Sequence, residues 1–169
     1  MKKIVTILVA TSGFLVATSR VNAQTKFAYI SQSELITTMP EYKKADSALL
    51  EFNNALNQNF EDLKKEFSEG DSLLSSKDTV KYTKAQLEIK RKNLLELYQK
   101  LQGYQQQASQ QYQAKSQELL APIQKKAQEI IQTVAKENGY AWVFNKEALI
   151  SYPPADDLLP LVKKKLNIK

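Results

Sequence analysis

Hydrophobic residues recur along the chain at helical spacing. From Leu49 the apolar positions are Phe52, Leu56, Phe60, Leu63 and Phe67, at steps of three and four residues, with Leu74 further along. That spacing puts them on one stripe of a helix. Beyond them, Leu87, Leu94, Leu101 and Ala108 repeat every seven residues, and Tyr98, Tyr112 and Leu119 lie on an adjacent line. A heptad held over three repeats is a coiled-coil signature. Leu49, Leu56 and Leu63 supply the matching set on the first stripe. Between the two stripes sits a polar cluster of Gly70, Ser72, Ser75, Ser76 and Asp78. Gly70 marks the approaching end of the first helix, residues 75–79 read as a tip, and Ser76 or Asp78 caps the second helix. The pattern predicts one long helix from Glu41 and a second from about Val80 to Asn138. Two helices joined by so short a tip pack antiparallel. About 34 residues on each side make an arm on the order of 50 Å at 1.5 Å per residue.

The ends of the chain follow a different pattern. Lys26 to Ser31 reads KFAYIS, aromatic and β-branched, which predicts a strand. Ser31 or Ser33 then caps a short helix through Met39, and Pro40 opens the long one. Pro122 falls inside the second helical pattern, which predicts a kink near Glu118 to Pro122 where the arm meets a body. After it, Ile123, Ala127, Ile130, Ile131 and Val134 form a stripe wide enough to pack on a sheet. Asn138-Gly139 is a helix stop. Tyr140 to Asn145 (YAWVFN) reads as a second strand and Leu149 to Tyr152 as a third, with a hairpin between them. Pro153-Pro154 ends it, and a last helix runs from Leu158 to Leu166. Acidic Asp156 and Asp157 at its start and Lys163, Lys164 and Lys165 at its end complement the helix dipole. That is the simplest account of the lysine run, with lipid headgroups or nucleic acid as the alternatives. The expected fold class is therefore α+β: a long antiparallel helical-hairpin arm, residues 41–113, on a small β body, residues 24–40 and 114–169. Three short strands make a small core with open edges. The body is expected to be completed by strands of further subunits, in a number this pattern does not specify.

Composition narrows the chemistry. The 169 residues include no Cys and no His, so no disulfide, Cys/His metal site or His-assisted nucleophile can be built. With only 4 Gly there is no phosphate-cradling loop. Acidic pairs lie on solvated helix faces without a pocket to shift them, so no enzyme and no cofactor are expected. Met1-Lys2-Lys3, the apolar run Ile4 to Ala17 and the polar end Ser19 to Ala23 are the three zones of a secretory signal peptide, with cleavage after Ala23. The apolar run, about 14 residues, is shorter than the roughly 20 a spanning helix needs. Cleavage lowers the net charge from +6 to 21 − 18 = +3. With export, this removes the case for a nucleic-acid partner. Residues 41–76 hold 4 basic and 8 acidic side chains and residues 77–113 hold 7 and 3, so the arm halves carry −4 and +4. Opposite signs favour pairing of the two helices weakly and help set register. Nine Gln fall in residues 99–117. This is a solvated helix face or, alternatively, a soft non-ionic surface tolerant of many partners.

These elements together resemble the Skp or OmpH-like family of periplasmic chaperones. The resemblance rests on the signal peptide, KFAYIS, SELITTMPEYKKADSALL, LLAPIQKKAQEIIQTVAKENGYAWVF and DDLLPLVKKKLNI, and covers about residues 25–168. Its most specific parts are Met39 to Lys43 and Ala135 to Phe144. The resemblance implies a periplasmic homotrimer whose strands form a common β body, with three arms around a cavity. It also implies an ATP-independent holdase that keeps unfolded outer-membrane β-barrel proteins from aggregating. The chain departs from the strongly basic arms of well-known members, because its arm is neutral overall, so local apolar and charged patches should matter more than long-range steering. The residues expected to contact clients are Phe52, Phe60, Phe67, Leu73, Leu74, Tyr82, Tyr98, Tyr104 and Tyr112, with Lys90, Arg91 and Lys92 as the densest basic cluster. Phe52, Phe60 and Phe67 also suit the helix seam, Tyr82 and Tyr104 are expected to be exposed, and the basic cluster has peripheral lipid contact or simple solvation as alternatives. Tyr29, Ile30, Trp142, Val143 and Phe144 are assigned to the intersubunit sheet. The competing reading is a non-catalytic envelope adaptor whose arms bind one folded partner.

Overall fold

The computed structural model describes residues 26–168; the expected signal peptide, residues 1–23, lies outside them. The elements are β1 (Lys26–Ile30), α1 (Gln32–Thr38), α2 (Pro40–Ser75), α3 (Lys84–Glu137), β2 (Tyr140–Asn145) and α4 (Leu159–Lys165), with short 3-10 turns at Lys77–Lys81, Lys146–Ala148 and Pro154–Asp156. The α+β class holds: two helices of 36 and 54 residues accompany a two-stranded sheet.

Local chemistry accounts for the helix ends. Ser31 caps α1, its hydroxyl accepting from Glu34 N at 3.2 Å. Pro40 opens α2, where its missing N–H costs nothing. Thr83 caps α3 in a reciprocal box with Gln86: Thr83 Oγ1 accepts from Gln86 N at 3.2 Å, and Gln86 Oε1 accepts from Thr83 N at 2.9 Å. Gly139 ends α3 at φ +74°, the left-handed position where an L side chain is strained.

Two expectations change here. The second long helix starts at Lys84 and not near Val80, because the Thr83–Gln86 box supplies a two-way cap that Ser76 does not; Ser76 instead donates its hydroxyl to Leu73 O at 3.0 Å. Gly70 lies near the end of α2, which runs to Ser75. Its role is packing: a Cβ there would sit 3.1 Å from Leu94 Cδ1. The second correction concerns Leu149 to Tyr152, which forms no strand; β1 and β2 are the only sheet strands among the described residues. A 3-10 turn at Lys146–Ala148 carries the chain away from β2, and Ile150 stands fully exposed with nothing beside it to pair with.

The helices α2 and α3 form the expected antiparallel hairpin. Phe60 meets Tyr104 at 5.4 Å between ring centroids, Phe67 meets Tyr98 at 6.0 Å, and Gly70 faces Leu94, so numbers rise on one helix as they fall on the other. At the base of the arm Lys126 donates to Glu41. Helix α3 runs unbroken through Pro122. The hairpin returns the chain to its start, and β2 lies parallel to β1 with Phe27 opposite Trp142 and Tyr29 opposite Phe144. Parallel strands need a long crossover, and the whole arm serves as one.

Tight packing is confined to the body. Ala28, Ile30, Leu35, Met39, Ala45, Ile123, Ala127, Ile131, Val134, Leu158, Leu159 and Val162 make one buried cluster. Beyond Leu56 on α2 and before Ile123 on α3, no residue is fully buried. The Leu158→Ala variant should therefore lose about 2–5 kcal/mol of stability by removing a side chain with no exposed surface. Leu63→Ala, at a half-buried arm position, should lose well under half as much. Urea denaturation of both variants checks this, and equal losses would contradict the packing gradient.

Candidate functional site

Two surfaces of the chain are open: the seam and outer faces of the arm, and one face and edge of the sheet. Strand alternation and the β1–β2 register put Phe27, Tyr29, Trp142 and Phe144 on the same sheet face, opposite the one that packs Ala28, Ile30 and Val143 towards the helices. Phe27 and Phe144 rings lie 6.0 Å apart. Trp142 is 61% exposed, Phe27 52% and Phe144 44%. Tyr29 belongs to this face but is only 4% exposed, because Tyr152 packs on it at 4.4 Å between centroids. Burial, then the nearby Asp157 carboxylate, pushes the Tyr29 hydroxyl above its ordinary pKa. Of the five residues assigned to an intersubunit sheet, Tyr29 and Ile30 are thus core of this chain, Val143 is half-buried, and Trp142 and Phe144 are open. Phe27 was missed, although its position two residues before Tyr29 carried the signal. The outer edge of β2 borders a groove of about 490 Å³ against α3, floored by Ile131 and Ala135.

Polar ties hold this end together. Ser31 and Ser33 both donate to Glu147 Oε1, at 2.5 and 2.9 Å, which fastens the turn after β2 to the start of α1. The Ser31 hydroxyl, the Glu147 backbone N–H and then Ser33 hold the Glu147 carboxyl below its usual range. Lys163 pairs with Glu34 at 3.2 Å and Lys165 with Glu137 at 2.7 Å. Two of the three terminal lysines therefore clamp α4 onto α1 and α3, in addition to complementing the dipole of α4.

On the arm, the structure sorts the expected contact residues into seam and surface. Phe52, Phe60, Phe67, Leu73 and Leu74 are half-buried along the hairpin. Tyr104, expected to be exposed, is a seam residue: its hydroxyl donates to Leu56 O at 2.7 Å and its ring packs on Phe60. Three residues after Leu101 and seven after Leu97, it holds the second seam position of the heptad, which a reading limited to the leucine line overlooks. Tyr82 is also half-buried, under the Lys90 ammonium at 4.8 Å. Arg91 and Lys92 are solvated, and Tyr98 and Tyr112 are partly open. Leu50, Ile89 and Leu95 are exposed apolar residues that the heptad reading passed over. Their signal was an apolar side chain off the seam line. Between the helices, Asn53, Leu56, Asn57, Phe60, Tyr104, Gln105, Ala108, Ser109 and Tyr112 line an open groove of about 430 Å³. Among the described residues no cluster of acidic side chains is suited to a metal, and no helix is long and apolar enough to cross a membrane.

A family model described as outer membrane protein, OmpH-like, matches residues 26–166. The chain belongs to the OmpH-like outer membrane protein family. A crystal structure from Caulobacter crescentus CB15, titled as a candidate outer membrane chaperone of OmpH-like type, superposes on this OmpH-like chain with a TM-score of 0.71 at 18% identity, over 83% of each chain. At that identity the likeness establishes the shared fold. No curated protein matches the sequence.

The Glu147 tie generates a pH prediction. Its folded pKa is depressed, so its stabilising contribution is present above the unfolded carboxylate value of about 4.3 and is lost as pH falls through the lower folded value. The wild type should be more stable than E147Q at neutral pH, and the gap should close on acidification through the low carboxylate range. Denaturation midpoints of both proteins at neutral and strongly acidic pH check this; a gap that persists in acid would contradict it.

Proposed function

We propose that this OmpH-like protein is an ATP-independent periplasmic holdase that binds unfolded outer-membrane proteins as a homotrimer, its signal peptide removed after Ala23. The observation that carries the reading is the division between a tightly packed body and an arm whose apolar residues beyond Leu56 stay half-buried or open. Such a surface offers many weak apolar contacts without one rigid pocket, which suits an unfolded polypeptide better than a single folded partner. Family membership and the shared fold support it. The aromatic sheet face and the open β2 edge support assembly, because exposed aromatic surface and an unpaired strand edge both favour a partner.

Two measurements test this. Dilution of a urea-unfolded outer-membrane β-barrel protein into the purified mature chain, without nucleotide, should leave light scattering suppressed at about one client per three chains, the stoichiometry of a trimer. Undiminished scattering at several-fold excess would defeat the holdase reading and favour the adaptor. Phe144→Asp would place a charge in the proposed interface while leaving the body core of the chain untouched. Its solution mass should fall to that of one chain, and an unchanged mass would remove this face from the assembly.

A further inference from the structure

We propose that the groove at the middle of the arm is a discrete subsite for an uncharged, extended stretch of polypeptide bearing an aromatic side chain. The proposal rests on the chaperone reading and narrows it to a place and a chemistry.

The groove has a cause in the sequence. Leu87, Leu94 and Leu101 fill successive heptad positions of α3, and the next position holds Ala108. The missing side-chain volume opens the seam opposite Asn53 and Leu56 of α2. The floor is apolar: Leu56 is only 7% exposed, and Phe60 and Tyr104 pack ring on ring. The Tyr104 hydroxyl is engaged by Leu56 O, so the groove meets the ring and not a free hydroxyl.

The rim is polar but neutral. Asn53, Asn57, Gln105 and Ser109 line it, and none of their side chains has a hydrogen-bond partner among the described residues. Each side-chain amide offers both donors and an acceptor, the set a peptide unit needs in return. No charged side chain lines the groove. The adjoining groove, lined by Gln113, Ser116, Gln117 and Gln124, is likewise uncharged but lacks the stacked aromatic floor. The groove nearer the tip is lined by Glu66, Glu69 and Lys90. A volume of about 430 Å³ lies within the range of roughly 300–1,000 Å³ typical of small-ligand sites.

These features choose among occupants. A charged segment would leave water for a groove with no counter-ion. A lipid tail would bury the rim amides without partners. An aromatic side chain can fill the space above Leu56 and Phe60 while its own main chain bonds Asn53, Asn57 and Gln105.

Ala108→Leu tests this directly, because it restores the fourth leucine and fills the groove. A108L should keep the assembled mass and match or exceed the wild type in thermal stability, since leucine suits a seam position. The probe is a short, capped, uncharged Ser/Thr peptide with one central Phe, together with its Ala analogue. In the wild type the Phe peptide should shift the side-chain amide NMR signals of Asn53, Asn57 and Gln105, and the Ala analogue should bind far more weakly. A108L should weaken Phe-peptide binding about tenfold or more. If A108L fails to fold, the surface variant N53A/N57A takes its place with the same expected loss. Equal binding by either folded variant, or by both peptides, overturns the subsite. Client scattering on the wild type is read in parallel. Suppressed scattering with unselective or unchanged peptide binding overturns the subsite alone, whereas unsuppressed scattering overturns the chaperone reading and the subsite with it.

Discussion

The structure depends on the arm bringing the chain back to its starting point. Strands β1 and β2 are separated by more than a hundred residues, yet they pair residue for residue from Phe27 with Trp142 to Ile30 with Asn145. Relative to a ten-residue loop, closing a flexible one that long would cost about 2 kcal/mol more. The hairpin lowers that cost, because α2 and α3 are stiff and in register, so pairing anywhere along the seam guides the ends together. The body core then joins pieces from both ends of the chain: Leu35 and Met39 from before the arm, and Ala127, Val134, Leu158 and Val162 from after it. Core and arm therefore depend on each other.

The same arrangement sets where the chain is rigid. Inter-element ion pairs cluster at the body: Glu41 with Lys126, Glu34 with Lys163 and Glu137 with Lys165. Towards the tip, Lys64 with Glu61 and Lys65 with Glu69 pair within one helix, and each adds little because it is exposed. The seam there rests on Phe67 against Tyr98 and on the close approach that Gly70 permits beside Leu94. Opening free energy should accordingly decline from base to tip, so the segment that yields most readily is the one that holds the fold together least.

Much of this was legible in the residues. The two stripes and the heptad predicted the hairpin, because the 3.6-residue period is imposed by the backbone and any buried seam must follow it. Asn138-Gly139 marked the end of α3 because only glycine turns left-handed there at no cost. What the sequence misplaced depended on partners it does not display. Leu149 to Tyr152 has strand composition, but a strand needs a neighbour, and the turn held by Glu147, Ser31 and Ser33 leads this segment away from β2. Tyr104 read as exposed because only the leucine line was taken as the seam, whereas the second heptad position, held by Leu97 and Tyr104, also faces α2, and the Tyr104 hydroxyl finds a carbonyl there. The cap at Thr83 was hidden among several equally plausible serines and aspartates, and only the reciprocal bond to Gln86 distinguishes it.

The neutral arm brings these points together. An arm with strong net charge would gather clients of opposite sign from beyond a Debye length, about 8 Å at physiological ionic strength. An arm with 11 basic and 11 acidic residues between positions 41 and 113 has little such reach. On the proposed holdase reading, its affinity would arise at contact, from apolar side chains left open off the seam, such as Leu50, Ile89 and Leu95, and from gaps within it. Contact affinity of that kind is less sensitive to salt, and it favours uncharged segments over acidic ones. The substitution of alanine for the fourth heptad leucine then has a consequence beyond lost packing. It opens the seam where the flanking residues are amides and not charges, and on the proposed subsite that gap is the neutral surface offered to polypeptide.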